Sequence, residues 1–372
     1  MTSYNDATAS QPLSAAPLRR AWTSRFARWE WMLVVLIITV ALANSLLSPF
    51  FLNVQNLARA SSDFIEMGLM MLPMVFIIIT GNVDLSVASM LGMTASFLGW
   101  LHMNGVNIWV AAVTALALGL TAGLLNGFLI SRLKVPALVI TLGAYAFYRG
   151  IAYVLLGDQA ARDYPPAFTW IGQGTIPGTP VPFSVLIFSV LALIFGLVLH
   201  KTVLGRYLYA IGNNQEAALF SGVPVARVKM IIFALAGLMS AVAGIVMASR
   251  FASTRPDIGL GLELAVITAT VLGGVDINGG KGTMIGAILA LLLIGLMRFG
   301  MGLLNIQGQV QSIAIGALLV LSILLPNLAH IRRANLAAQD RRWIVAIGLA
   351  AIGIVALFAL FLSVRETVLS FY

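Results

Sequence analysis

Long apolar runs recur along this chain, at residues 31–47, 64–80, 86–103, 108–131, 136–156, 183–200, 230–249, 262–275, 284–304, 309–329 and 343–364. A helix needs about 20 apolar residues to cross roughly 30 Å of hydrocarbon, and most of these runs supply that length. The pattern predicts an all-α polytopic membrane protein with about ten core helices and one more near the C-terminus. Composition agrees: 60% of the 372 residues are apolar and 9% are charged, where a soluble domain has about 25% charged residues. A soluble enzyme is excluded. Runs 86–103 and 262–275 are short or interrupted by glycine, as segments that line a pathway often are.

The few charges carry the orientation. Residues 1–30 are polar and then basic at Arg19, Arg20, Arg25 and Arg28, which reads as a cytoplasmic tail before an uncleaved first span. With that tail inside, 15 of the 22 Lys and Arg residues fall in inner loops, the bias expected of cytoplasmic segments. The net charge of +9 is therefore a topology signal. A nucleic-acid surface would show a basic face with interleaved aromatics, and none is present. The chain has no cysteine, and His102, His200 and His330 are too dispersed to form a metal-ligand pattern. No cofactor is expected in this chain.

Two loops are long, 157–182 outside and 201–229 inside. The inner one reads KTVLGRYLYAIGNNQEAALFSGVPVARVK. Asn213 as N-cap and Glu216 three residues on make a capping-box pattern. Gly222 and Pro224 stop the helix, leaving two turns, residues 214–221, with Ala217 and Phe220 exposed on one side. So short a helix is marginal alone in water. Either it packs on its own membrane domain or it docks on another protein.

Two hexapeptides echo each other 192 residues apart, GNVDLS at 81–86 and GGVDIN at 273–278. The topology puts both on one side of the membrane. Asp84, flanked by Asn82 and Ser86, either marks a polar cavity or caps the helix that follows. Asp276, beside Lys281, reads as a solvated loop residue. GGKGT at 279–283 fails the phosphate-loop pattern, because Val275 and Gly282 stand where Gly and Ser or Thr are required. Its glycines suit a tight turn and close helix approach.

Three stretches carry a family resemblance. GRYLYAIGNNQEAALFSGVPVARVK resembles the cytoplasmic loop of ribose-type ABC import permeases, the branch with xylose, rhamnose and autoinducer-2 systems within the branched-chain amino acid/ribose permease superfamily. ITGNVDLSVASMLG and VLGGVDINGGKGTMIGAILALLLIG resemble the two most recognisable stretches of the same family, which usually has a second glycine where this chain has Asn82. The resemblance spans about residues 31–330. It implies a type II ABC importer permease fold over 31–330, leaving 331–342 as a basic cytoplasmic linker and 343–364 as an additional helix. It also implies a second permease subunit, identical or different, two ATPase domains or subunits in the cytoplasm, a periplasmic binding protein, and a place in a bacterial inner membrane. In that family the short inner helix docks in a groove of the ATPase. By position, Asn213, Asn214, Glu216, Ala217, Ala218 and Gly222 match that family's motif; Asn213, Asn214, Glu216, Ala217 and Gly222, with the exposed Phe220, are the candidate ATPase-coupling residues.

Other polar groups lie inside the apolar runs. Asn126 sits between Gly123 and Gly127, a small-residue surface suited to close packing, and Glu263 opens run 262–275. Both either line a polar passage or satisfy neighbouring helices. Together with Asn82, Asp84 and Ser86 they are the candidate translocation residues. Arg149 is expected to snorkel outward or pair with an outer acid, and Pro73 to kink its helix. Asp63 and Glu66 cap, or touch an outer partner. No carboxylate pair or nucleophile set emerges, so no bond chemistry is expected, and the resemblance implies transport of a sugar or sugar-like polar solute of the ribose, rhamnose or autoinducer-2 class. A stand-alone facilitator or secondary carrier is the rival, and the need for an ATPase partner separates the two.

Overall fold

The structure is a computed structural model that describes residues 19–331, and among these every regular element is helical. In chain order the helices are α1 (Arg19–Leu47), α2 (Val54–Ser62), α3 (Ile65–Ile79), α4 (Val87–Met103), α5 (Ile108–Arg132), α6 (Ala137–Leu156) and α7 (Pro166–Gln173). They continue as α8 (Phe183–Lys201), α9 (Val203–Asn213), α10 (Gln215–Phe220), α11 (Val225–Phe251), α12 (Leu262–Leu272), α13 (Met284–Leu303) and α14 (Gly308–Ile331). Ten of the apolar runs fall on helices. The tail before residue 19, the linker 332–342 and the run 343–364 lie outside the described residues.

Among the described residues six helices are long and apolar enough to cross a membrane, and a seventh span arises if α2 and α3, bent by 53° at their junction, count as one. The recorded bend thus falls at residues 63–64; Pro73 lies inside α3. Helix α12 has 11 residues, about 17 Å at 1.5 Å per residue. That is roughly half of the ~30 Å a span requires. The reason is visible on either side of the short helices. Residues 80–86 before α4 and 252–261 before α12 are non-helical, and each buries part of its length in the bundle, Asp84 and Ser86 in the first and Thr254, Pro256 and Ile258 in the second.

Every residue of α3 is buried, as befits a helix that is apolar on all sides. It forms the central pillar. Against it lies α11, which also crosses α5 almost backbone to backbone. A Cβ on Gly123 would sit 3.0 Å from Ala234 Cα, and one on Gly237 would sit 2.9 Å from Gly123 Cα. The small-residue surface around Asn126 is therefore a close helix crossing. Between helices in lipid, packing and hydrogen bonds replace the hydrophobic drive, so small residues at the contact favour such approach.

Arg149, in the second half of α6, ties the non-helical stretch 252–261 to the start of α4. Its guanidinium donates to the carbonyls of Pro256 (2.8 Å) and Ile258 (3.0 Å) in the stretch before α12, and to that of Ala88 (3.0 Å) in the first turn of α4. It neither snorkels nor pairs with an acid, contrary to the sequence expectation. The interrupted backbone leaves carbonyls with no intrahelical partner, and a fork of fixed donors satisfies several at once.

Replacing this group should be costly. Each buried carbonyl left unsatisfied costs about 1–3 kcal/mol, so Arg149→Leu should lower the thermal midpoint of the detergent-solubilised chain by several degrees. Arg149→Lys, with a single ammonium in place of the fork, should fall between. An unchanged midpoint for Arg149→Leu would show that the clasp contributes nothing.

Candidate functional site

Helix α9 runs on through Asn213, one residue further than the capping-box reading allows. Asn213 Nδ2 donates to the Tyr209 carbonyl (2.8 Å), and the break comes at Asn214, whose extended backbone (φ −161°) starts α10. Asn214 is the cap: its Oδ1 accepts from Ala217 N–H at 2.9 Å. This corrects the assignment of Asn213 as N-cap and removes the capping box, since Glu216 now stands two residues after the cap. Its carboxylate still lies in the first turn, where the helix dipole favours negative charge. Gly222, at φ +83°, closes α10, with Val223 N–H returning to the Ala218 carbonyl at 3.0 Å, the bond pattern of a glycine-terminated helix.

One residue of α10, Ala218, is buried and holds the helix to the bundle. The other face is bare. Glu216, Ala217 and Leu219 are exposed, and Phe220 keeps 88% of its surface exposed. A phenylalanine so exposed, followed by Ser221 and Gly222 on a capped two-turn helix, is an apolar knob that nothing among the described residues covers.

Beneath α10 the two hexapeptides meet. A Cβ on Gly81 would lie 3.4 Å from the Asn278 carbonyl oxygen, and Gly280 N–H donates to the Ile79 carbonyl at 2.8 Å. Their aspartates repeat one local geometry. Asp84 Oδ1 accepts from Ser86 N–H (2.8 Å) and Ser86 Oγ (2.6 Å). Asp276 Oδ1 accepts from Asn278 N–H (3.0 Å) and Nδ2 (3.2 Å). In each, a carboxylate binds the backbone two residues on, as in an Asx turn. Their surroundings differ: Asp276 is part-exposed and pairs with Lys281 at 3.2 Å, as expected, while Asp84 is fully buried. Tyr209 of α9 joins the same place, donating to the Gly282 carbonyl at 2.7 Å. Burial pushes its hydroxyl up to about 12, so it stays a donor at neutral pH.

From Asp84 a chain of hydrogen bonds runs into the bundle. Asn126 Nδ2 donates to Ser86 Oγ (3.0 Å), and Tyr148 of α6 donates to Asn126 Oδ1 (2.9 Å). Of the candidate translocation residues, the structure thus brings Asp84, Ser86 and Asn126 together, all buried within one chain. Asp84 Oδ2 has no partner. Asn82 stands apart and donates to Thr80. Glu263 lies at the start of α12, nine-tenths buried, with Oε2 unpartnered.

At the opposite end, Arg250 of α11 closes onto the junction of α2 and α3. It reaches Glu66 Oε1 through Nε and Asp63 Oδ1 through Nη1, each at 2.8 Å. Sequence reasoning singled out neither Arg250 nor Tyr148. Both partners lie far from them along the chain, and no spacing rule joins them.

Comparison with known proteins decides the family. Residues 56–323 match the family model described as "Branched-chain amino acid transport system / permease component". The chain belongs to this family. It is the permease component of an ABC transport system, a multi-pass membrane protein, and not itself the ATPase. It is 38% identical over 301 residues to the autoinducer 2 import system permease protein LsrD of Escherichia coli (strain K12), covering 79% of this chain and 91% of that one. The protein of the same name from Photorhabdus temperata is 37% identical, over 79% of this chain and 90% of that one. No solved structure matches the permease.

The buried chain through Asn126 makes a direct prediction. Asn126→Ala would remove the link between Tyr148 and Ser86, whose hydroxyls each keep one partner, the Ala122 carbonyl and Asp84, so the cost is two lost hydrogen bonds at about 0.5–1.5 kcal/mol each. The expected outcome is a lower unfolding midpoint in detergent, with Tyr148→Phe milder because it removes the terminal donor. Equal midpoints for Asn126→Ala and the parent chain would refute the network.

Proposed function

We propose that this permease imports a small, polar, sugar-like solute of the autoinducer-2 class, with energy from a separate cytoplasmic ATPase docked on α10. The observation that carries the reading is the bare apolar face of α10. Phe220 and Leu219 stand exposed on a capped helix whose opposite face, through Ala218, is anchored to the bundle. Binding energy at interfaces concentrates in a few such anchors. The likeness to permeases named for autoinducer 2 import supports the solute class, and the residues resembling the family's inner loop, Asn213, Asn214, Glu216, Ala217 and Gly222, together with the exposed Phe220, support the docking site.

In this reading the N-terminal tail, α10 and the two hexapeptide turns face the cytoplasm, and the Arg250 cluster faces outward. Two permease subunits, alike or different, enclose the pathway in a bacterial inner membrane, and a periplasmic binding protein delivers the solute to the outer end. The core is the type II fold of about ten membrane helices, the short α4 and α12 contributing segments that enter the bundle as extended chain. Asn82, Asp84, Ser86, Asn126 and Glu263 shape the passage from within each subunit, fixing the helices that border it.

The test uses the exposed anchor. Phe220→Asp should leave expression and thermal midpoint unchanged, because the side chain contacts nothing in this chain, yet reduce copurification of the ATPase subunit and uptake of autoinducer-2 by tenfold or more. Undiminished copurification with Phe220→Asp would sink the docking site and restore the stand-alone carrier as the better reading.

A further inference from the structure

The glycine cluster under α10 has no space in it for a side chain. Gly212, in the last turn of α9, lies against the hydrogen bond that joins the two hexapeptide regions: a Cβ there would overlap both the Ile79 carbonyl oxygen and Gly280 N. Both obstacles are backbone atoms, so no rotamer change relieves the clash. On the facing turn, a Cβ on Gly280 would lie 2.7 Å from Asn213 Oδ1, and one on Gly279 would lie 3.0 Å from the Gly212 carbonyl oxygen and 2.9 Å from Gly81 N. Three chain segments therefore meet largely backbone to backbone: the end of α9, the end of α3 with its turn, and the turn entering α13.

The facing turn is itself stiff. Gly279 N–H donates to the Asp276 carbonyl (2.8 Å), Asp276 N–H donates to the Lys281 carbonyl (3.1 Å), and the Asp276 carboxylate binds Asn278 and Lys281. The Tyr209 hydroxyl adds a second tie from α9 to this turn at Gly282. Contacts between fixed backbone atoms cannot be absorbed by side-chain rearrangement, and packed interiors transmit displacement for that reason.

We propose that Gly212 and Tyr209 are positioning residues for coupling. They make α9 and the turn 279–282 one rigid body, so that displacement of α10 is delivered at the same moment to the end of α3 and the start of α13. This rests on the docking of an ATPase on α10. It adds the route by which that movement enters the bundle. Since α3 is buried on all sides and α13 follows directly from the turn, two helices receive the push at their ends without a flexible linker in the path.

The test measures a distance in the assembled complex of permease subunits, ATPase and binding protein in nanodiscs. This chain has no cysteine, so Ser221→Cys and Lys281→Cys, both at exposed positions, can carry a spin-label pair once the partner subunits are made cysteine-free. Vanadate trapping with ATP should leave the separation between the labels unchanged in the otherwise native chain. With Gly212→Ala, and to a lesser degree with Tyr209→Phe, the separation should become dependent on trapping while the ATPase stays bound. Tyr209→Phe removes one hydroxyl and keeps the ring, so it remains informative if Gly212→Ala fails to assemble. A trapping-dependent separation in the native chain would overturn the joint, and so would assembled variants whose separation is as constant as the native one. Loss of ATPase binding with Phe220→Asp concerns only the docking itself, so failure of the joint and failure of docking are told apart.

Discussion

Non-helical backbone inside an apolar bundle must find every hydrogen-bond partner within the protein, and this constraint organises the permease. Residues 80–86 and 252–261 both interrupt the helical ladder among buried helices. Arg149 meets the constraint for two carbonyls of the second stretch and joins them to the first turn of α4. Asp84 meets it for the Ser86 N–H, and Ser86, Asn126 and Tyr148 carry the network on into α5 and α6. A charged group at this depth is expensive in hydrocarbon, and three carbonyl partners are what make it tolerable. The short helices α4 and α12 are the visible result: they start where the chain, having entered the bundle extended, regains its ladder.

The same constraint explains why the two hexapeptides behave alike locally and differently in place. Each aspartate secures the turn by accepting from the backbone two residues on. One turn continues into the core and passes its hydrogen bonds to α5 and α6. The other stays near the surface, pairs with Lys281, and ends in a run of glycines that admits α9 to backbone contact. A repeated motif thus supplies a buried polar network on one side and a mechanical contact with the loop on the other.

Much of the helical arrangement was legible in the sequence, because apolar runs of span length have few alternatives. Ten runs fell on helices, Gly222 ended α10, and the small residues around Asn126 marked a close crossing. What was not legible depends on groups distant in the chain. The cap of α10 shifted from Asn213 to Asn214 because α9 extends further than local propensity indicates. Arg149 was expected at an acid or at the membrane surface, since two of the carbonyls it binds come from residues more than a hundred positions away. The third, that of Ala88, is 61 positions away, and the carboxylate partners of Arg250 are more remote still, at 184 and 187 positions.

By itself the sequence determined that this chain is a helical membrane protein, that a short capped helix interrupts its central loop, and that it resembles sugar-type import permeases. Hydropathy and turn chemistry act within a few residues, so they can be read along a line. Only the tertiary structure decided which polar groups meet, where the helices are broken, and that the loop rests on the two glycine-rich turns largely backbone to backbone. Those outcomes come from satisfying buried donors and acceptors and from excluding side chains at close contacts. Both are properties of chain segments brought together in space, and no local pattern encodes them.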